Sequence, residues 1–211
     1  MSHLTHFRMA LTVSALVVFG LQSFAQKQAS TDDVFYEKGP SGLDSATLRS
    51  IAQMISDSFG ADVALIEEFI IEAKQLERDE RIPATAFIGI AILESTGFTS
   101  YLYQNAKNPF GMRATSIWKG PTFIMFHEGA DSPFRKYDTP GEAVRDFAVF
   151  LNSRKWFRDA LKCKSTDVEC FIKGLSANWK KKEPGYASDP EWPNKVRRVI
   201  RTYRLESLKG G

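Results

Sequence analysis

The stretch FIGIAILESTGF (residues 87–98) places a single acid, Glu94, at the end of a nearly continuous apolar run. Pro83 precedes the run in a position that favours the first turn of a helix, because proline has no backbone N–H to leave unpaired. The run is apolar on almost every side, which predicts a helix buried over most of its surface. Glu94 would then share a face with Ile90 and Phe87, one and two turns earlier.

This position has a chemical consequence for Glu94. An apolar environment disfavours a carboxylate, and the negative end of the helix dipole at the C-terminus disfavours it further. Both effects favour the protonated side chain, which is the state that a general acid needs. The alternative is that Glu94 points into solvent at a frayed helix end. Periodicity alone leaves both possibilities open.

The N-terminal residues differ in kind from the rest of the chain. Residues 1–25 combine a basic start, an apolar segment over 9–21 and the small-x-small site Ser23–Ala25, which together predict a signal peptide cleaved before Gln26. A membrane anchor is the alternative, but the apolar segment falls short of the roughly 20 residues needed to cross a bilayer. We therefore expect an exported protein, periplasmic or extracellular, without stable membrane insertion after cleavage.

The cysteines and histidines restrict the possible chemistry. Cys163 and Cys170 enclose a short loop, and in an oxidising compartment a local disulfide is expected, with a buried free pair as the alternative. Loss of the signal peptide would leave His127 as the one histidine, so no metal site and no cofactor are expected. Ser-His-Asp or Cys-His catalysis would depend on His127 alone. Carboxylates are therefore the expected catalytic groups.

The chain of 211 residues, with 43% hydrophobic and 12% aromatic content, is long enough for one well-packed domain. We expect a flexible lead-in over 26–43 and a catalytic domain over 44–208 that begins with two helices. Hydrophobic periodicity predicts these two helices, and Gly60 separates them. Further helices are predicted after the cap Thr139, around 156–161 and 168–175, and in the basic segment NKVRRVIRTYRL.

A β-hairpin is predicted between the helical parts. Two short runs rich in Phe, Ile and Tyr flank Gly129–Asp131, and Glu128 lies at the turn. The preceding segment TSYLYQNAKNPFGMRA alternates aromatic residues with amides, which suits a polar cleft with a stacking surface. Trp118, between this segment and the hairpin, is a further candidate for sugar binding.

Four motifs occur in a recognisable order: AILESTG, NPFGM, PFRKY and GYASDP. In their order and spacing the chain resembles the glucosaminidases of glycoside hydrolase family 73 from about Ile82 to Leu205. The resemblance implies a mainly helical α+β, lysozyme-like fold with a small β-hairpin beside the cleft. It also implies an endo-β-N-acetylglucosaminidase that cleaves the β-1,4 bond after N-acetylglucosamine in peptidoglycan strands.

The resemblance also implies roles for individual residues. Glu94 matches the catalytic general acid, Glu128 the second acid on the hairpin, and Tyr186 a tyrosine near the reacting sugar. Asn108 and Phe110 match cleft residues that hold and stack the sugar. Asp189 matches the family's aspartate and is the last of the sugar-binding candidates. A structural role, capping the last helix, suits it better.

Several positions depart from the family pattern without removing a catalytic group. Gly129 stands where an aromatic residue usually follows the second acid, and Lys107 stands where a second asparagine is more common. Thr96–Phe98 replaces the commoner Gly-aromatic-Gly, and Ser188 replaces threonine. These changes are expected to reshape the sugar subsites.

Charge is distributed unevenly along the chain. Residues 151–206 hold fourteen Lys or Arg against seven Asp or Glu, whereas residues 26–150 hold twelve against eighteen. A basic portion can favour an anionic glycan, and export argues against nucleic acid as the partner. For any one lysine, a solvated helix face or an open loop is the simpler explanation. Two rival functions remain open: another glycan-cleaving enzyme on the same scaffold, such as a muramidase or a lytic transglycosylase, and a noncatalytic wall-binding module.

Overall fold

The computed structural model describes residues 43–127, 129–176 and 184–209. The predicted signal peptide and almost all of the predicted lead-in lie outside these residues, as does Glu128. The described part of the chain is mainly helical and contains one two-stranded antiparallel sheet. None of its helices combines the length and the hydropathy required to span a lipid bilayer.

The elements follow the predicted order. The longer helices are α1 (Ser45–Phe59), α2 (Val63–Glu80), α3 (Ala84–Glu94), α5 (Pro140–Asn152), α7 (Val168–Leu175) and α8 (Trp192–Thr202). The shorter elements are α4 (Tyr101–Ala106), α6 (Arg158–Leu161), and 3-10 helices at Lys155–Phe157 and Leu205–Lys209. Strands β1 (Thr122–His127) and β2 (Ala130–Arg135) form the hairpin.

Helix α3 is the buried centre of the fold, as its sequence predicted. Every residue from Ala84 to Ile92 is buried, and the helix packs against α2 and α8. Gly89 allows the close approach of α8, because a Cβ at this position would lie 2.8 Å from Ile200 Cγ1. Pro83 is the residue that precedes the first helical turn.

Helix α4 was not predicted. Only six residues long, it is too short to show a helical period, and it begins after Ser100, whose hydroxyl accepts a hydrogen bond from the Tyr103 backbone N–H at 3.2 Å. It ends at Lys107, whose backbone is left-handed with φ 50°.

The predicted hairpin is present, with a tighter turn than expected. His127 pairs with Ala130 and Phe126 pairs with Asp131, so Ala130 and Asp131 belong to β2 and not to the turn. Gly129 has a φ of 84°, a left-handed conformation that glycine adopts without steric cost.

Helix α5 begins with the predicted cap and is tied to the hairpin. The Thr139 hydroxyl accepts from the Glu142 N–H at 3.2 Å. Arg135, at the end of β2, donates from Nη1 to Asp146 Oδ1 and Oδ2 at 2.8 and 2.6 Å. Tyr137 donates to the same carboxylate at 2.6 Å. These bonds fix β2 against α5.

The disulfide between Cys163 and Cys170 is confirmed. It links the segment after α6 to the first turn of α7, across a Cα–Cα distance of 5.8 Å. Gly174 lets α6 and α7 pack closely, because a Cβ there would lie 2.6 Å from Ala160 Cα.

Candidate functional site

A groove of about 880 Å³ opens at the C-terminal end of α3. The end of α3 and the start of α4 form one wall, and the hairpin forms another. The segment before α8 and the end of α5 complete it. The ionisable residues that line the groove include Glu94, Arg113, His127, Arg135, Arg154, Asp189 and Lys195.

Glu94 is the last residue of α3, and its side chain faces the groove. The Trp192 indole Nε1 donates a hydrogen bond to Glu94 Oε1 at 2.7 Å. Trp192 is only 4% exposed, so its ring is held firmly at the start of α8. The hydrogen bond therefore fixes the direction of the carboxyl group, which is not a frayed surface side chain.

The pKa of Glu94 is raised above its usual value of 4.5. The side chain is exposed by surface area because it faces the open groove, but the surrounding walls displace much of the water around the carboxyl group. This loss of hydration is the main cause of the raised pKa. The Trp192 hydrogen bond and the nearby Lys195 charge oppose it. The direction agrees with the sequence argument.

Tyr186 lines the same groove, and its hydroxyl group already donates a hydrogen bond within the protein. The hydroxyl donates to the Phe110 backbone oxygen at 2.7 Å, and the ring packs on Trp192 with centroids 5.4 Å apart. Burial raises the pKa of Tyr186 well above its ordinary value of 10, and the Glu94 charge raises it further. Tyr186 therefore remains neutral, with hydroxyl lone pairs still able to accept a hydrogen bond.

Asp189 supports the start of α8. Its Oδ1 accepts from the Glu191 N–H at 2.8 Å, and its Oδ2 accepts from Lys195 Nζ at 2.6 Å. The Lys195 hydrogen bond is the main reason that the pKa of Asp189 is lowered. Asp189 stabilises the turn before Trp192 without being the N-cap residue of α8, which is Glu191, and its carboxylate also reaches the groove.

Asn108 does not line the groove in this structure, and its role in holding the sugar stays a prediction. It is 1% exposed, and its Nδ2 donates to the Met112 and Arg135 carbonyls at 2.9 and 2.8 Å. Its Oδ1 accepts from the Met112 N–H at 2.9 Å. The amide is fully used in pinning the loop between α4 and the hairpin.

The rings of Phe110 and Trp118 pack against other side chains of the protein. Phe110 is 3% exposed and stacks on Phe147 with centroids 4.1 Å apart, so its ring lies in the core while its carbonyl receives the Tyr186 hydroxyl. Trp118 donates to the Pro121 carbonyl at 2.9 Å and packs under the Arg135 guanidinium. Phe110 reaches the groove with only this small exposed part, and Trp118 does not line it.

The hairpin wall contributes a basic pair. The Arg113 guanidinium donates to His127 Nδ1 at 3.1 Å and lies 4.6 Å from the centre of the Phe134 ring. His127 is the last residue of β1 and is therefore adjacent in sequence to Glu128, which lies outside the described residues. Within the described ranges, no group of His, Cys, Asp and Glu side chains is arranged to hold a metal ion.

Sequence reasoning missed Trp192 and Arg154. Trp192 contacts Glu94 across 98 residues of sequence, so no local pattern pairs them. Arg154 lies just beyond α5 and lines the groove between two aromatic rings. Its only local signal is a basic residue between Phe150 and Trp156.

Comparisons with known proteins identify the family of the chain. The family model described as mannosyl-glycoprotein endo-beta-N-acetylglucosaminidase matches residues 71–205. The peptidoglycan hydrolase FlgJ of Vibrio cholerae is 26% identical over 164 residues, which cover 72% of this chain and 47% of that protein. This chain therefore spans about half the length of that curated relative.

Solved structures share the fold. A peptidoglycan hydrolase from Sphingomonas sp. A1 is 23% identical with a TM-score of 0.55, covering 70% of this chain and 96% of that chain. The glycoside hydrolase domain of Salmonella typhimurium FlgJ is 22% identical with a TM-score of 0.56, covering 69% and 90%. The fold expected from the sequence, α+β and lysozyme-like, is confirmed.

Proposed function

The chain belongs to the mannosyl-glycoprotein endo-beta-N-acetylglucosaminidase family and is a glycoside hydrolase, and from this we propose that it cleaves peptidoglycan at the β-1,4 bond after N-acetylglucosamine. Glu94 is the proposed proton donor to the leaving sugar oxygen. The main support for the proposal is the environment of Glu94. Trp192 donates a hydrogen bond to its carboxyl group, and the walls of the groove exclude water and so raise its pKa.

The environment of Glu94 suits a general acid. A carboxyl group with a raised pKa retains its proton closer to neutral pH, where an ordinary glutamate would be ionised. When the proton leaves, a carboxylate forms, and both the Trp192 N–H and the Lys195 charge favour that carboxylate. Before the proton is transferred, desolvation favours the protonated acid. After the transfer, the fixed polar groups stabilise the carboxylate that remains.

Glu128 is the proposed second acid, acting as a base or stabilising the oxocarbenium-like transition state. It follows His127, which lines the groove, and the other described carboxylate in the groove, Asp189, is bonded to Lys195. Inverting enzymes separate the two carboxyl groups by about 6.5–9.5 Å, and retaining enzymes by about 5–5.5 Å. A route through the acetamido group of the substrate would need Glu94 alone, so product stereochemistry and a Glu128→Gln variant distinguish these mechanisms.

Tyr186 is proposed as a positioning residue for the sugar at the cleavage site. The oxygen of its neutral hydroxyl can accept a hydrogen bond from the sugar while its O–H donates to the Phe110 carbonyl. Its raised pKa makes it a poor nucleophile and a poor base at neutral pH. A Tyr186→Phe variant should therefore raise KM more than it lowers kcat.

Peptidoglycan as substrate is supported by the names of the similar proteins from Vibrio and Sphingomonas and by the family match. We also propose export through residues 1–25, which would bring the enzyme to this substrate. The disulfide is consistent with an oxidising compartment. Cell fractionation with mass analysis tests export: the mature protein should begin at Gln26, and a full-length cytoplasmic protein would refute it.

Digestion of purified peptidoglycan tests the function. The mature protein, Glu94→Gln and a control, Glu80→Gln on the exposed end of α2, are incubated with it, and fragments are reduced with borohydride and analysed by mass. Reduced N-acetylglucosamine ends from the mature protein and control, absent with Glu94→Gln, support the proposal. Reduced muramic acid or anhydro ends would identify a muramidase or a lytic transglycosylase, and binding without cleavage would indicate a wall-binding module.

A further inference from the structure

Arg154 differs from the other cations of the groove. Among the described residues, Lys195 pairs with Asp189 and Arg135 pairs with Asp146. The Arg113 guanidinium is bonded to His127. Arg154 makes no ion pair and no side-chain hydrogen bond within the described ranges, although it is half-buried and lines the groove.

Two aromatic rings hold the Arg154 guanidinium. Its Cζ lies 5.3 Å from the centre of the Phe150 ring and 5.8 Å from that of Trp156. Arginine stacks well on aromatic faces because its planar guanidinium is weakly hydrated, and stacking leaves the N–H groups at its edge free to donate. The guanidinium is therefore restrained before any ligand binds, which lowers the entropy lost on binding.

A general role in balancing the helix dipole does not explain this arrangement. Arg154 follows the C-terminus of α5, where any cation is favoured. However, its side chain makes no hydrogen bond to the described carbonyls at that end, and it lies over the two rings instead. The geometry resembles a donor prepared for an anion from outside the chain.

A contact network connects Arg154 to the reaction centre. Tyr186 packs on Phe147 with centroids 5.2 Å apart, and Phe147 stacks on Phe150 with centroids 6.2 Å apart. Phe150 in turn supports Arg154. The guanidinium thus lines the same groove as Glu94 and is connected to Tyr186 through these stacked rings.

We propose that Arg154 binds a carboxylate of the peptide carried by the glycan strand, and so selects peptide-bearing strands. This inference rests on the proposed function, because peptidoglycan alternates a neutral N-acetylglucosamine with a muramic sugar that carries a carboxylate-bearing peptide. An arginine fork matches a carboxylate through two parallel N–H···O bonds. Arg154 is thus a specificity residue and takes no part in proton transfer.

Binding measurements in the Glu94→Gln background test this assignment without cleavage of the ligand. Soluble peptide-bearing glycan fragments are titrated calorimetrically into Glu94→Gln and into Glu94→Gln with Arg154→Gln. The same fragments are then tested after their carboxylates have been converted to neutral methylamides. Arg154→Gln should weaken binding of the native fragments roughly 10- to 100-fold, as expected for a charge-assisted contact, and leave binding of the amidated fragments unchanged.

Arg158→Gln is the matched control, since Arg158 is an exposed arginine of α6 that does not line the groove. Equal weakening by this control would show a general charge effect and overturn the assignment. Three other results would also overturn the assignment. Arg154→Gln could weaken binding of native and amidated fragments equally, or weaken neither, or the native fragments could fail to bind while Arg154 is intact. If the mature protein releases no reducing ends, the proposed function fails, and these binding results still decide the role of Arg154.

Discussion

Replacing Trp192 with phenylalanine removes the N–H that donates to Glu94 and keeps an aromatic ring beside Tyr186. In the proposed reaction Glu94 becomes a carboxylate as it gives up its proton, so the indole stabilises the transition state. A hydrogen bond to a charged group contributes about 1.5–3 kcal/mol, and the lower end applies to a water-accessible groove. We therefore expect kcat/KM on the pH plateau to fall by roughly tenfold.

The same substitution should change the pH profile in a defined direction. The indole hydrogen bond lowers the pKa of Glu94, so its removal raises that pKa further. A general acid is active while protonated, and activity is lost as the pH rises through its pKa. The Trp192→Phe enzyme should therefore retain its plateau activity to a higher pH than the wild type, although that plateau is lower.

The assay is the release of reducing ends from soluble peptidoglycan fragments, followed from acidic to alkaline pH. Trp118→Phe is the matched control, because it removes an indole bonded to the Pro121 carbonyl outside the groove. The control should leave both the plateau and the alkaline limb unchanged. An alkaline limb that stays in place or moves to lower pH in Trp192→Phe would refute the coupling between Trp192 and Glu94.

Three further substitutions test the packing that supports the site. Gly174→Ala places a Cβ 2.6 Å from Ala160 Cα, and overpacking against backbone should lower the free energy of unfolding by about 1–3 kcal/mol, measured by urea denaturation. Replacing Cys163 and Cys170 together with alanine should cost about 2.5 kcal/mol by loop entropy, for a sequence separation of 7, measured in the same way. Asp146→Asn leaves a guanidinium with a 9% exposed side chain unpaired and should cost about 3–5 kcal/mol, measured by thermal and urea unfolding.

Two of these substitutions have a control on an exposed side chain, and the cysteine replacement is controlled by reduction. Lys173→Ala, next to Gly174 on α7, and Asp57→Asn on α1 should change stability by less than about 0.5 kcal/mol. For the cysteines, reduction of the wild type should reproduce the loss, whereas a further loss on reduction of the alanine variant would contradict the loop-entropy argument. A stable Gly174→Ala would mean that helix propensity outweighs the clash, and a stable Asp146→Asn would mean that Arg135 finds another partner.

Much of the fold could be predicted because its signals are local. The apolar run before Glu94 predicted α3, and the helix predicted around 168–175 has the bounds of α7 in the structure. The cap Thr139 identified the start of α5. Helix α4 was missed because six residues complete fewer than two turns, and the hairpin turn was placed too late because glycine and aspartate also favour turns.

A candidate site residue could be identified from the sequence where it was anomalous in its own surroundings. Glu94 was identifiable because a carboxyl group at the end of an apolar helix is costly unless it has a use. Asn108 and Phe110 were recognised by motif, but a motif gives the identity of a residue and not the direction of its side chain. Trp192 could not be paired with Glu94 from sequence, because the fold brings them together.

The central claim is that Glu94 donates the proton, and a change of leaving group tests it most directly. Glu94→Gln and wild type are compared on a natural glycan fragment and on an N-acetylglucosamine oligosaccharide with a dinitrophenyl leaving group, which departs without a proton. We predict that kcat falls by about 10²–10⁴ on the natural fragment and by less than about tenfold on the activated one. An equal loss on both substrates would contradict the assignment of Glu94 as the general acid.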